Sequence, residues 1–149
     1  MMKKKIPFIA VLVLLAAACA FQYFTRMRTI SQVVPEVQTV FLRDCTKIVL
    51  RDTNCKDGVE RLAELTDPEE IRAFGMATRQ TFCYRKLSFG RLSGQTGGNN
   101  ALVTFCFSDA PDVAIQTVRS GILSDGRWYE TNCGYGDYVR SVLEAHLDT

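Results

Sequence analysis

From Ile6 to Phe24 the chain reads IPFIAVLVLLAAACAFQYF, an apolar run that only Gln22 interrupts and that no helical or strand period divides into faces. Lys3, Lys4 and Lys5 precede it, and Arg26 and Arg28 follow. At 1.5 Å per residue the run covers about 28 Å, close to the roughly 30 Å of a bilayer's hydrocarbon core. The pattern predicts a spanning helix in residues 1–24. Its lysines favour a cytoplasmic N-terminus and an exported remainder, a bias that Arg26 and Arg28 weaken.

The rest of the chain has shorter periods. Thr25 to Arg43, broken by Pro35, reads as a juxtamembrane linker, and residues 44–149 read as one small domain. Within it, KIVLRD (Lys47 to Asp52) is β-branched and ends in Asp52, Thr53 and Asn54, which suits a strand closed by a turn. In LTDPEEIRAFGMATRQ, Asp67 can cap a helix, Pro68 takes its first position, and Glu70 completes a capping box. Ile71, Phe74 and Thr78 then share one face.

Gln80 to Phe89 reads as a strand, GRLSGQTGGNN as a loop, and ALVTFCF (Ala101 to Phe107) as a strand with Val103, Phe105 and Phe107 facing the core. These two strands are expected to pair as a hairpin. Val113 to Ser124 and Arg127 to Thr131 form another, joined at Asp125-Gly126, where tight turns find positive φ angles. A closing helix, DYVRSVLEAHL, starts at Asp137 and places Val139, Val142, Leu143 and His146 on one face.

The expected fold is α+β: an N-terminal transmembrane helix followed by a small antiparallel sheet packed with two helices. With LTDPEEIRAF before the sheet and ILSDGRWYE before YVRSVLEAHL, the layout resembles small bacterial membrane-anchored or lipoprotein α+β domains of unknown function. That resemblance implies a fold and an envelope location, and no activity.

The same N-terminus fits a secretory signal, with small residues Ala16, Ala17 and Ala18 before a cleavage point. LLAAAC then resembles a bacterial lipobox, which makes Cys19 the candidate lipidation site, although Ala16 stands where the pattern prefers Leu. An uncleaved anchor, a lipoprotein and simple secretion are the three readings. The first is preferred, with the C-terminal domain outside the cytoplasm.

Charge narrows the partners. Beyond residue 24 there are 15 Lys and Arg against 16 Asp and Glu, so the folded part carries no net basic charge of the kind a nucleic-acid binder uses. Arg79, Arg85, Lys86 and Arg91 alternate with apolar residues, as on the outer face of a strand. The partners expected are the membrane and an envelope protein, with no nucleic acid.

Cys45, Cys55, Cys83, Cys106 and Cys133 follow the apolar run, and in an oxidising compartment some should pair as disulfides, Cys83 with Cys106 among the candidates. Their spacing does not suit zinc, His146 stands alone, and no metal or cofactor is expected. The glycines of the loop, Gly90 to Gly98, lack the GK[ST] of a phosphate loop.

No catalytic residue is assigned. Cys133-Gly134 resembles the Cys-Gly of thiol hydrolases, but His146 sits on an apolar helical face near the chain end, as a packing residue does. Two function classes remain. One is a non-enzymatic envelope domain for protein binding or assembly, with Trp128, Tyr129 and Tyr135 as candidate partner surface and an inhibitor or immunity role as a special case. The other is a small cysteine-dependent hydrolase or redox protein.

Overall fold

The computed structural model describes residues 5–39, 44–53, 59–85, 100–118, 121–124, 127–131 and 134–147, with side chains omitted at 5–7, 24 and 39. The elements in chain order are α1 (Lys5–Thr25), β1 (Arg28–Thr29), α2 (Ile30–Val33), α3 (Glu36–Thr39), β2 (Cys45–Asp52), β3 (Leu62–Leu65), α4 (Pro68–Gln80), β4 (Phe82–Arg85), β5 (Ala101–Phe107), β6 (Val113–Val118), β7 (Gly121–Ser124), β8 (Arg127–Thr131) and α5 (Tyr135–Leu147). The fold is α+β. Its eight strands form one antiparallel sheet in the order β1-β4-β8-β7-β6-β5-β2-β3.

Alternation along β5 sets which face of the sheet is buried. Ala101, Val103, Phe105 and Phe107 are buried while Leu102, Thr104 and Cys106 are half-buried on the other side. Register carries that face across the sheet, because Leu50 and Ile48 of β2 pair with Val103 and Phe105, and Ile115 of β6 pairs with Val103. Helices α4 and α5 pack on this face. Phe74 of α4 lies under Tyr138 of α5, ring centroids 5.5 Å apart, and meets Phe105 at 6.3 Å.

The start of α4 follows its local sequence. Asp67 accepts hydrogen bonds from the backbone N–H of Glu69 and Glu70, at 2.7 and 3.1 Å, which satisfies two amides that no helical carbonyl can reach. Ile71, Phe74 and Thr78 are all buried, as their spacing requires. Thr78 donates to the Phe74 carbonyl and accepts from the Tyr135 hydroxyl at 2.8 Å, so the polar tip of a fully buried ring finds a partner. At α5 the helix opens two residues before Asp137, where Gly134 adopts φ 60° and its carbonyl accepts from Tyr138.

Three expectations need correction. The sheet packs with α2 and α3 as well as α4 and α5, because the presumed linker is part of the domain: Ile30 and Val37 are fully buried, β1 pairs with β4, and Ile30 N–H donates to the Thr81 carbonyl at 2.9 Å. β4 and β5 do not form a hairpin, since β4 lies between β1 and β8 while β5 lies between β2 and β6. Val113 to Ser124 is two paired strands, β6 and β7, so its length exceeded that of one strand. A further strand, β3 (LAEL), closes the sheet at the edge beside β2; its alternation spans only two turns of the pleat, too few to mark a strand in the sequence.

α1 is 21 residues long, and its exposed side chains run from Phe8 to Tyr23, roughly 24 Å of helix. Within the described residues no helix is long and apolar enough to cross a membrane.

Candidate functional site

The register of three strands gathers charge at one corner of the molecule. In the β1–β4 pair Arg28 lies opposite Cys83; in the β4–β8 pair Arg85 lies opposite Tyr129 and Cys83 opposite Thr131. Residues two apart on a strand share a face, so Arg85 joins Cys83, and Arg127 joins Tyr129. This is the face that α4 and α5 cover further along the sheet, since Tyr129 also pairs with the fully buried Ile122.

At this corner the cover is the end of α1. Tyr23, Arg26, Arg28, Cys83, Arg85, Arg127 and Tyr129 line a cavity of about 140 Å³. The Arg28 guanidinium sits over the Tyr23 ring, 5.4 Å from its centroid, a cation–π contact that ties the helix end to the sheet. Cys83 is fully buried at the floor, Arg28, Arg85 and Tyr129 are half-buried walls, and Arg26 and Arg127 are exposed at the rim. Among the described residues, none of those lining the cavity is a carboxylate. A larger groove of about 750 Å³ beside α2 and α4 is lined mostly by neutral amides and hydroxyls and gathers no comparable set.

Compared with protein-family models, curated proteins and solved structures, the chain matches none. Function must therefore be argued from its own residues.

The cysteines are spread over the fold. Cys19, Cys45, Cys83 and Cys106 carry free thiols, and Cys55 and Cys133 lie outside the described residues. Cys83 and Cys106 cannot meet across a ladder: β8, β7 and β6 separate their strands, about 19 Å at the usual spacing, against a limit of about 7 Å between bridged Cα atoms. Burial pushes the Cys83 thiol up to about 11, despite the nearby Arg28. Burial also raises Cys45, with Cys106 nearby adding to it. Cys106 is raised by burial and by its hydrogen bond with Asp112. A nucleophilic cysteine needs the opposite shift, so these three thiols do not favour the cysteine-enzyme reading.

The candidate partner aromatics do not form one surface. Tyr135 is 1% exposed and belongs to the core, where burial raises its phenol far above the usual range. Tyr129 faces the arginine cavity. Trp128, one residue away, lies on the opposite face beside Leu123, with its ring over Gly121. The alternation of β8 separates the neighbours.

His146 joins the two helices. Its Nδ1 lies 2.9 Å from the Val142 carbonyl and its Nε2 3.3 Å from the Glu70 carboxylate, so Glu70, expected to close a capping box with Asp67, reaches to α5 instead, and Asp67 caps α4 by its own side chain. The Val142 hydrogen bond and then Glu70 raise its pKa above the ordinary 6.5. A raised folded-state value stabilises fully below about 6.5, and the gain is lost as pH rises through the folded pKa. Stability should therefore decline modestly above pH 6.5, by less than about 1 kcal/mol because the pair is solvent-screened. Urea midpoints measured from pH 5 to 8 should show this slope in the native chain and not in Glu70→Gln; an equal slope in both would remove the pair as its source.

Proposed function

We propose that this protein is a membrane-anchored extracytoplasmic domain that binds a protein partner at the envelope and catalyses no reaction. The observation that carries the reading is the surface of α1. Val11, Leu12, Val13, Leu14 and Leu15 are 51–69% exposed, and five consecutive residues exceed one helical turn of 3.6, so the helix presents apolar side chains on every side. Phe8, Ile9, Phe21 and Tyr23 extend this surface along its length. Such a helix matches a lipid environment and not a face packed on the domain. The sequence continues the apolar run to Ile6 and Phe24, with basic residues at both ends.

For the partner, the supporting feature is the half-buried face opposite the helices. Val49, Leu102, Leu123 and Trp128 share it with Thr104 and Gln116, a mixed apolar and polar sheet face around an aromatic anchor.

Membrane fractionation followed by alkaline carbonate extraction tests the anchor. The chain is expected to stay in the pellet with an intact mass near 16.7 kDa, and protease added to spheroplasts should digest the domain. Release into the carbonate supernatant would overturn the anchor; protection from protease would move the domain to the cytoplasmic side. A mass beginning at a lipid-modified Cys19 would replace the spanning helix with a lipid.

A further inference from the structure

A groove of about 750 Å³ opens at the β1 edge of the sheet, beside α2 and the end of α4. Its volume falls within the roughly 300–1,000 Å³ of small-ligand sites. Thr29, Ser31 and Gln32 line it from β1 and α2, Met76 and Gln80 from α4, and Phe82 from β4.

The hydrogen-bonding groups of this groove do not all find partners within the chain. Ser31 is 5% exposed, and its hydroxyl lies 2.9 Å from that of Thr29. One of the two hydroxyls donates to the other, which leaves the second O–H without an acceptor among the described residues. Gln32 Oε1 accepts from the Thr29 N–H at 3.1 Å, which fixes the amide and directs its NH2 donors elsewhere. The exposed side-chain amide of Gln80 has no hydrogen bond among the described residues. A nearly buried donor without an acceptor is costly, so the groove favours a ligand that accepts hydrogen bonds.

Charge and backbone narrow the class. Among the described lining residues only Arg79 is charged, and it already interacts with another group, so the groove selects for neutral ligands. β1 is two residues long, and its Thr29 N–H, which an added strand would need, is taken by Gln32, so the edge cannot extend its ladder onto a peptide. Phe82 and Met76, 48% and 38% exposed, set apolar surface beside the polar groups. A neutral molecule with oxygen acceptors at its edges and C–H groups on its faces is a sugar, and the negative face of an aromatic ring attracts those C–H groups. Glutamine amides pair with an acetamido substituent through matched N–H and C=O groups.

We infer that this groove binds a neutral glycan carrying acetamido groups. The Thr29 and Ser31 hydroxyls and the Gln32 amide donate to its oxygens, Gln80 pairs with an acetamido group, and Phe82 stacks on a sugar ring. The site goes beyond the protein-binding reading and does not depend on it.

The test uses the full-length protein in a sugar-free neutral detergent, titrated calorimetrically with tri-N-acetylchitotriose, maltotriose or acetylated tetra-alanine amide. Chitotriose is expected to saturate the protein at millimolar concentration or below. Maltotriose lacks the acetamido groups and should bind about tenfold more weakly, and the peptide, which carries amides without a sugar ring, should not bind. Gln80→Ala with Phe82→Ala changes two exposed residues, so the double variant should keep the native Tm and bind chitotriose about tenfold more weakly. Phe82→Tyr keeps the ring and should keep the affinity.

No binding of chitotriose, or undiminished binding by the double variant, would overturn the site. Peptide binding as tight as that of chitotriose would overturn the glycan in favour of a peptide, and equal binding of maltotriose would overturn the acetamido preference. The same chemistry occurs in a glycan polymer and in a glycolipid headgroup. Retention of the native protein but not the double variant on chitin beads assigns the polymer; chitotriose binding without retention assigns the headgroup.

Discussion

A chain that begins at Asp44 should lose cooperative unfolding, whereas one that begins at Arg26 should keep it. The segment between them looks dispensable by composition, yet Ile30, Val34 and Val37 are at most 7% exposed and sit in the same cluster as Ile71, Phe74 and Cys83. Burying each such side chain stabilises by about 1.5–3 kcal/mol, so removing three forfeits several kcal/mol of a total typically near 5–15. Loss of β1 also leaves the Phe82–Arg85 strand as an open edge, with unpaired amides and carbonyls. Urea unfolding of the two fragments, followed by circular dichroism, decides the matter. A shared midpoint would mean that the segment only lies against the domain. A sloping, non-cooperative curve for the shorter fragment would establish it as core.

The second large effect is expected at Gly121, where β7 meets β8. A methyl group there would collide with the Tyr129 carbonyl oxygen and lie 2.6 Å from Trp128 Cζ2 and 2.9 Å from Cη2. The indole can swing aside; the carbonyl belongs to a paired strand and cannot. Overpacking of this kind costs about 1–3 kcal/mol, and the backbone obstacle places Gly121→Ala at the upper end. Its Tm should fall by about 5–15 °C. Adding Trp128→Leu removes only the movable obstacle, so the double variant should recover a small part of the loss. Full recovery would show that the ring alone sets the requirement, and an unchanged Tm for the single variant would mean that β7 shifts to make room.

These two sites illustrate different kinds of legibility. Asp67 and Pro68 announce α4 because capping acts within one turn, and the same holds for the alternation of β5 and the apolar spacing of α5. Gly121 carries no such mark: its requirement comes from Tyr129, eight positions later, which only strand pairing brings close. The short segments from Arg28 to Thr39 failed as a prediction for a related reason. Each is two to four residues long, too short for a period to show, and takes its structure from burial against α4 and β4.

Residue order alone determined the all-round apolar N-terminal helix, the α+β class, the α4 cap and the core-facing positions of β5, since each depends on neighbours within a turn or a pleat. Tertiary structure alone decided that β4 and β5 lie three strands apart, that Cys83 and Cys106 cannot bridge, that Trp128 and Tyr129 serve opposite faces, and that Arg26, Arg28, Arg85 and Arg127 share a cavity. Strand order is fixed by the joint burial of one sheet face beneath α4 and α5, a sum over the whole chain that no local window contains.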